Sequence, residues 1–400
     1  MHSLLSYSLN GSYANSLGER NALNFESYSL VAGITLRQPL LRNFWIDPGR
    51  LVVRVNRKLL KITELGVSYL VLDVVNRVEQ AYYELLYARE FQQVQLDLLA
   101  SRHRTLDGLQ MRAQQGLITE VETLPTRTQI SSLETTLLAA SNSVVLAENT
   151  LRTLLGDDFR QDSEVSLKPA ERLWVHTEEF DLQASWNHGL ARRPDLVQLR
   201  TDVERNDLDL KFRRNQLFPS LDLVAGYGRR GASTDQLPPP LQPRASAREA
   251  FDQLTTGSAP TEMIGVIFSL PLGRISERGN YRASRHLKEQ AELRLKQKEE
   301  LVLREISDAV HTSRLSLQRV RAAERASELA TPALAVEERK LAGGTSNTFF
   351  VLQLQNDLLA ARAAELRAKA DYLKAVAQLY FADASLLERR GVSIRIEPSH

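Results

Sequence analysis

The sequence predicts a mainly α-helical chain with β-strands, laid out as two structural repeats. Three observations carry that reading. From about Asp47 to Gln115 no proline follows Pro48, and Val71, Val74, Val78, Ala81 and Leu85 recur at 3-4-3-4 spacing. That spacing lines one seam of a helix packed as a coiled coil. Short stretches of strict apolar–polar alternation precede this helix, as strands do. The same order of features then recurs in the second half of the chain.

Residues 4–14 alternate, with Leu5, Tyr7, Leu9 and Tyr13 on one face and Ser6, Ser8, Asn10 and Ser12 on the other. Residues 15–27 read as a polar loop, and 28–37 alternate again through Tyr28, Leu30, Ala32, Ile34 and Leu36. Pro39 ends this second strand. The long helix, at 1.5 Å per residue, extends roughly 100 Å. Gly116 breaks it, and a return helix over about 118–155 stops at Gly156. Pro125 either bends that helix or marks its start. Residues 157–192, with Asp157, Asp158, Pro169 and Trp174, lack a clear period and read as a connector with short elements.

The second repeat, 193–385, opens with a lead helix over about 195–216. Strands follow at 218–228 and 263–270, separated by a long loop with Pro238, Pro239, Pro240, Pro243 and Pro260. Pro271 ends the last strand. A second long helix covers about 275–342, with a seam at Ile306, Ala309 or Val310, Ser313, Leu317 and Val320, and Pro332 as a potential kink. Gly343-Gly344 breaks it, a return helix occupies 347–385, and 386–400 reads as a polar tail. ITLRQPLL (34–41) matches VIFSLPLG (266–273), and 77 residues separate Pro39 from Gly116 against 73 between Pro271 and Gly344. The first repeat, 1–156, has no counterpart of the lead helix, so the duplication predicts one ahead of residue 1. A signal sequence would be lost with it; residues 1–14 have neither a basic start nor an apolar core.

The composition excludes several classes. Fifty-one basic residues balance 49 acidic ones in interspersed order, which points to solvated helix faces and not to nucleic acid. There is no cysteine, hence no disulfide or thiol chemistry. No run of eighteen apolar residues predicts a membrane-spanning helix, a test that β-strands escape. The histidines (His2, His103, His176, His188, His286, His311, His400) are scattered without metal-ligand spacing. Gly343-Gly344 lacks the downstream Lys-Ser/Thr of a phosphate loop. No catalytic constellation is present, so the reading is not that of an enzyme and no cofactor is implied.

LRQPLLRNF (36–44), ARRPDL (191–196), NQLFPSLDLVAGYG (215–228), VIFSLPLG (266–273) and GGTSNTFFVLQLQNDLLAARA (343–363) resemble the TolC-like outer-membrane efflux family. The resemblance implies a homotrimer whose protomers each give four strands to one twelve-stranded outer-membrane barrel. The long helices would continue it as an α-helical barrel into the periplasm, with the connector packed around the middle. It implies an efflux or type I secretion duct, with outer-membrane lipid, a periplasmic adaptor and an inner-membrane pump as partners. The glycine turns would form the periplasmic tip, where Gly116, Thr119, Gly343, Gly344 and Thr345 are candidates for adaptor contact. The family's acidic pore constriction falls on Phe350 and Gln353, both uncharged. Phe350 then either gates by dewetting or packs in a seam. The family's gating acid falls on Glu122, with Glu120 beside it, and its basic partner on Ser346, so that ion pair is not expected. Pro39 and Pro271 mark the strand-to-helix junctions. Two rivals stand beside this reading: a soluble coiled-coil scaffold with hairpin caps, and a periplasmic adaptor.

Overall fold

The computed structural model describes residues 5–156, 166–257 and 260–394. Asp157 and Asp158, placed by the sequence in the connector, lie outside them. The chain divides into two compact units, 1–62 with 200–294, and 63–199 with 295–400.

The first unit holds a four-stranded antiparallel sheet in the order β1 (Ser6–Arg20), β2 (Leu23–Pro39), β3 (Ser220–Leu237), β4 (Pro260–Ser269). The strands are longer than the alternation suggested. The expected loop at 15–27 is strand on both sides of a two-residue turn at Asn21-Ala22. Both residues have positive φ (54° and 61°), which matches the twist of flanking strands. Register puts Tyr7 opposite Leu36, Leu9 opposite Ile34 and Tyr13 opposite Leu30 on one face. The same face continues through Ile34–Tyr227, Leu223–Val266 and Leu221–Phe268. The other face pairs Ser8 with Thr35, Asn10 with Gly33 and Thr35 with Gly226. One wall is therefore apolar and exposed, and the other is mostly small or polar, with Val31, Val224, Met263 and Ile267 interspersed. β1 and β4 are the sheet's edge strands.

The expected loop at 229–261 is also corrected. β3 runs on to Leu237, and a short helix, Ala247–Thr256, folds back on it. Gly231 makes room for that helix: a Cβ there would lie 1.8 Å from the Ala250 carbonyl oxygen. Polar spacing and the prolines hid this ten-residue helix from the sequence pattern.

Both strand-to-helix junctions are tied to residues 215–221, at the entry to β3. Pro39 is buried, and Leu40 N–H donates to the Leu221 carbonyl (2.7 Å). Asn43, at φ 66°, donates its N–H to Asn215 Oδ1 (2.8 Å). Past the exposed Pro271, Arg274 donates to the Leu217 carbonyl (2.6 Å). After the first junction helix α1 (Pro48–Gln114) begins, with Pro48 at its first position and the buried Asp47 accepting from Arg50 N–H (2.9 Å).

The second unit is built from helical hairpins. α2 (Leu124–Leu155) returns along α1, preceded by a 3-10 turn at Glu120–Thr123, so Pro125 marks the start and not a bend. Ala81, Leu85 and Ala88 of α1 pack against Val144, Ala147 and Leu151 of α2. Of the predicted seam, Val74 is instead exposed, and Leu72 is buried in its stead. Over 120–155 the chain is long and apolar enough to pass for a membrane span, but its seam is occupied by α1.

α3 (Leu182–Arg192) and α4 (Pro194–Asn215) follow the connector. The second long helix, α5 hereafter counting only the long and connector helices, is Ile275–Ala342, and it runs unbroken through Pro332. Its return helix α6 is Thr348–Ala382, capped by Asn347. Leu196, Val302, Ile306, Val310 and Leu379 form one buried cluster. Ser313 and Val320 are buried too, as the seam predicted. The tail is not wholly free: Leu386–Arg389 is a helical turn whose Leu386 is buried with Leu72 and Tyr380. The extended segment before α3 is pinned by Leu173, which packs on Leu86 and Ala370, and by Tyr372 Oη donating to the His176 carbonyl (3.0 Å).

ARRPDL has a physical explanation in this unit. Arg193, 3% exposed, makes a two-pronged bond to Asp195 (3.0 and 2.7 Å) and also reaches Glu305 (2.7 Å) and the Ala382 carbonyl (3.1 Å). Pro194 opens α4, and Leu196 is a core residue. Lys298 approaches Asp195 to 3.0 Å. Burial pushes the Asp195 carboxyl up, but Arg193 and Lys298 outweigh it and hold it below the ordinary range.

Candidate functional site

The hairpin ends are built alike. Gly116 sits at φ 73° and Gly344 at φ 74°, the left-handed region that glycine reaches without strain. After Gly116, its N–H donates to the Ala113 carbonyl and Leu117 N–H to the Arg112 carbonyl, each at 2.9 Å. After Gly344, its N–H donates to the Leu341 carbonyl (3.1 Å) and Thr345 N–H to the Lys340 carbonyl (2.9 Å). Both pairs follow the 5→2 and 6→1 pattern of a Schellman motif, which satisfies the last helical carbonyls. Thr345 Oγ1 adds a bond to Lys340 O (3.2 Å), and Gly343 N–H donates to Arg339 O (3.0 Å). The predicted glycines thus turn the chain at the ends of both long helices.

The next helices are started by side chains. Thr119 N–H donates to Glu122 Oε1 (3.2 Å), the backbone half of a capping box. Glu122 is engaged in starting the 3-10 turn, and Glu120 lies exposed beside it. Asn347 Oδ1 accepts from Phe350 N–H (3.2 Å). Ser346, where the resemblance implies a basic residue, donates to Glu337, which Lys340 also meets at 3.1 Å. Those two partners, Ser346 first, lower the Glu337 pKa.

Phe350 is exposed, and its ring meets that of Phe349 edge-on with centroids 5.7 Å apart. Val351, Leu352 and Gln355 are the buried residues of this turn. Within the chain Phe350 is therefore not seam packing. Gln353 is exposed and donates to Asp357 Oδ1 (3.2 Å) on the same helix. A groove of about 410 Å³ brings the two hairpin ends together, lined by Arg104, Gly108 and Arg112 of α1, Glu338 and Leu341 of α5, and Val351 of α6. Sequence reading missed Phe349 and the two groove arginines. Adjacent Phe349-Phe350 in a chain with 6% aromatics was the available signal; the arginines read like any solvated helix charge. Among the described residues no group of His, Cys, Asp or Glu is placed to hold a metal.

Each long helix thus follows a strand and a proline junction and ends in a glycine-turned hairpin. Residues 5–157 and 187–385 match the outer membrane efflux protein family, and the chain belongs to it. The outer membrane efflux protein BepC of Brucella suis is 24% identical over 377 residues, which cover 92% of this chain and 74% of BepC. The alkaline protease secretion protein AprF of Pseudomonas aeruginosa is 23% identical over 315 residues, 77% of this chain and 61% of AprF. The multidrug resistance outer membrane protein MdtP of Escherichia coli is 26% identical over 164 residues, 39% of this chain. The chain thus spans 31% of MdtP and under two thirds of AprF. The crystal structure of the outer membrane protein VceC from Vibrio cholerae superposes with a TM-score of 0.70 at 20% identity, over 95% of this chain and 87% of VceC. The fold and the outer-membrane location are those of this family.

Proposed function

We propose that the chain is the outer-membrane duct of a tripartite efflux or type I secretion system, passively exporting small molecules or proteins. The observation that carries this is the open sheet. Four strands with two unpaired edges and an exposed apolar wall form no closed structure in one chain. Three copies joined edge to edge give a closed ring of twelve strands, apolar outside and polar inside. A homotrimer set in outer-membrane lipid is the assembly this favours. A soluble scaffold leaves the wall of Leu9, Ile34, Tyr227 and Val266 in water. An adaptor leaves the repeated strand pairs without use.

The glycine-turned tips are the proposed docking end for a periplasmic adaptor and, through it, an inner-membrane pump that supplies the energy. Gly116, Thr119, Gly343, Gly344 and Thr345 shape that end. Phe350 and Gln353, with Glu120 and Glu122 on the other hairpin, are the proposed gate; three copies of an exposed phenyl ring would close by excluding water. Planar-bilayer conductance of the purified trimer tests this. Phe350→Ala raises the leak if the ring lines the closed tip, and an unchanged leak in an assembled trimer removes Phe350 from the gate.

A further inference from the structure

Arg102 of α1 is 3% exposed, yet among the described residues it has no carboxylate partner. Its two terminal nitrogens donate to neutral amides: Nη1 to Gln129 Oε1 of α2, and Nη2 to Asn356 Oδ1 of α6 (2.5 Å). Its Nε is buried without a partner among the described residues. One residue before it, Ser101 Oγ accepts from the fully buried Gln355 Nε2 (3.5 Å), and Gln355 Oε1 is likewise unpaired. A guanidinium taken out of water and met only by amides is poorly compensated. Burial lowers its pKa for the same reason. Gln129 and Asn356 are connected through this one side chain, and Asn356 belongs to the other repeat. The contact therefore bridges the first hairpin (α1–α2) and the second (α5–α6), fourteen residues before Gly116 in α1.

We propose that Arg102 is a latch between the two hairpins, strong enough to hold them together and weak enough to be released when the tips part. This rests on the duct reading above. An Arg–carboxylate pair at the same place would hold more tightly, because both partners would be charged. Amide acceptors leave a bond whose loss is offset by rehydration of the guanidinium. Opening, an exchange between two packings of the hairpins, would break the Asn356 bond and leave the Gln129 bond within the first hairpin intact.

Two variants of the full chain test it, as detergent-purified trimer in planar bilayers, with melting followed by circular dichroism. Arg102→Met keeps an apolar stem in the seam; Gln129 is half-buried and Asn356 exposed, so both amides retain access to water. We expect no fall in the melting midpoint and a rise in leak conductance of about tenfold, the equilibrium equivalent of one hydrogen bond to a charged group. Asn356→Asp supplies the missing carboxylate, and we expect a higher midpoint with a leak below that of the wild type. A purely structural Arg102 would shift melting in both variants and conductance in neither; that result overturns the latch. If the wild-type trimer itself forms no pore, the duct reading fails, and the latch with it; a conducting wild type with two unchanged variants overturns the latch alone.

Discussion

Arg193→Ala removes a guanidinium that four acceptor atoms surround. Its side chain is 3% exposed, that of Asp195 14% and that of Glu305 37%. The Glu305 half reaches solvent and is discounted as a surface pair, worth at most about 1 kcal/mol. The cost lies with Asp195 and the Ala382 carbonyl, left behind in the packed junction of α3, α4 and α6. Breaking a buried pair from one side costs about 3–5 kcal/mol. Lys298 stays 3.0 Å from Asp195 and compensates part of it, so we expect the lower end, about 3 kcal/mol. Urea unfolding of the detergent-solubilised chain, followed by the helical circular dichroism band, gives the number. Asp195→Asn and the double variant complete a cycle, in which the two single losses should not add. A loss below about 1 kcal/mol for Arg193→Ala would place the pair in effective solvent and refute the reasoning.

Lowering the pH probes the same pair. The folded pKa of Asp195 is depressed, so its contribution is complete above the unfolded value of about 3.9 and is lost as pH falls through the folded one. Unfolding measured below about pH 4 should therefore be less steeply pH-dependent in Asp195→Asn than in the wild type. Gly344→Ala forces a Cβ into the left-handed region and should cost about 1–2 kcal/mol, seen as faster hydrogen exchange at the second hairpin end; Gly116→Ala should behave alike. Gly231→Ala should lift the Ala247–Thr256 helix off β3, because the new Cβ has no room beside Ala250, and trypsin should then cut faster at Arg248. An unaltered digestion rate would mean that the helix is held by other contacts.

The long helices and their ends were legible because seams, prolines and glycines act locally. Pro48, Gly116, Gly156 and Gly344 stand where a helix begins or stops. The strands were legible only where apolar and polar residues alternate. Beyond that, Ser16, Glu19 and Glu26 are held in register by backbone pairing. The short helix on β3 was hidden among prolines, and its seat is made by an absent side chain, that of Gly231. At the hairpin ends the turns were readable, and the exposure of Phe350 was not. An aromatic at helical spacing reads equally as core or surface until its neighbours Val351 and Leu352 are seen to take the buried places. Arg102 shows the same limit: a buried arginine and a solvated one look identical in a charged helix, and only Gln129 and Asn356, brought in from two other helices, set it apart.

The proposed duct depends most on the closure of the sheet by three copies. Light scattering of the chain, extracted from membranes in detergent, measures that directly. A particle of three chains is the predicted result and makes pore conductance the next measurement. A monomer or dimer recovered in the soluble fraction without detergent would contradict the account and return the strands to hairpin caps on a coiled-coil scaffold.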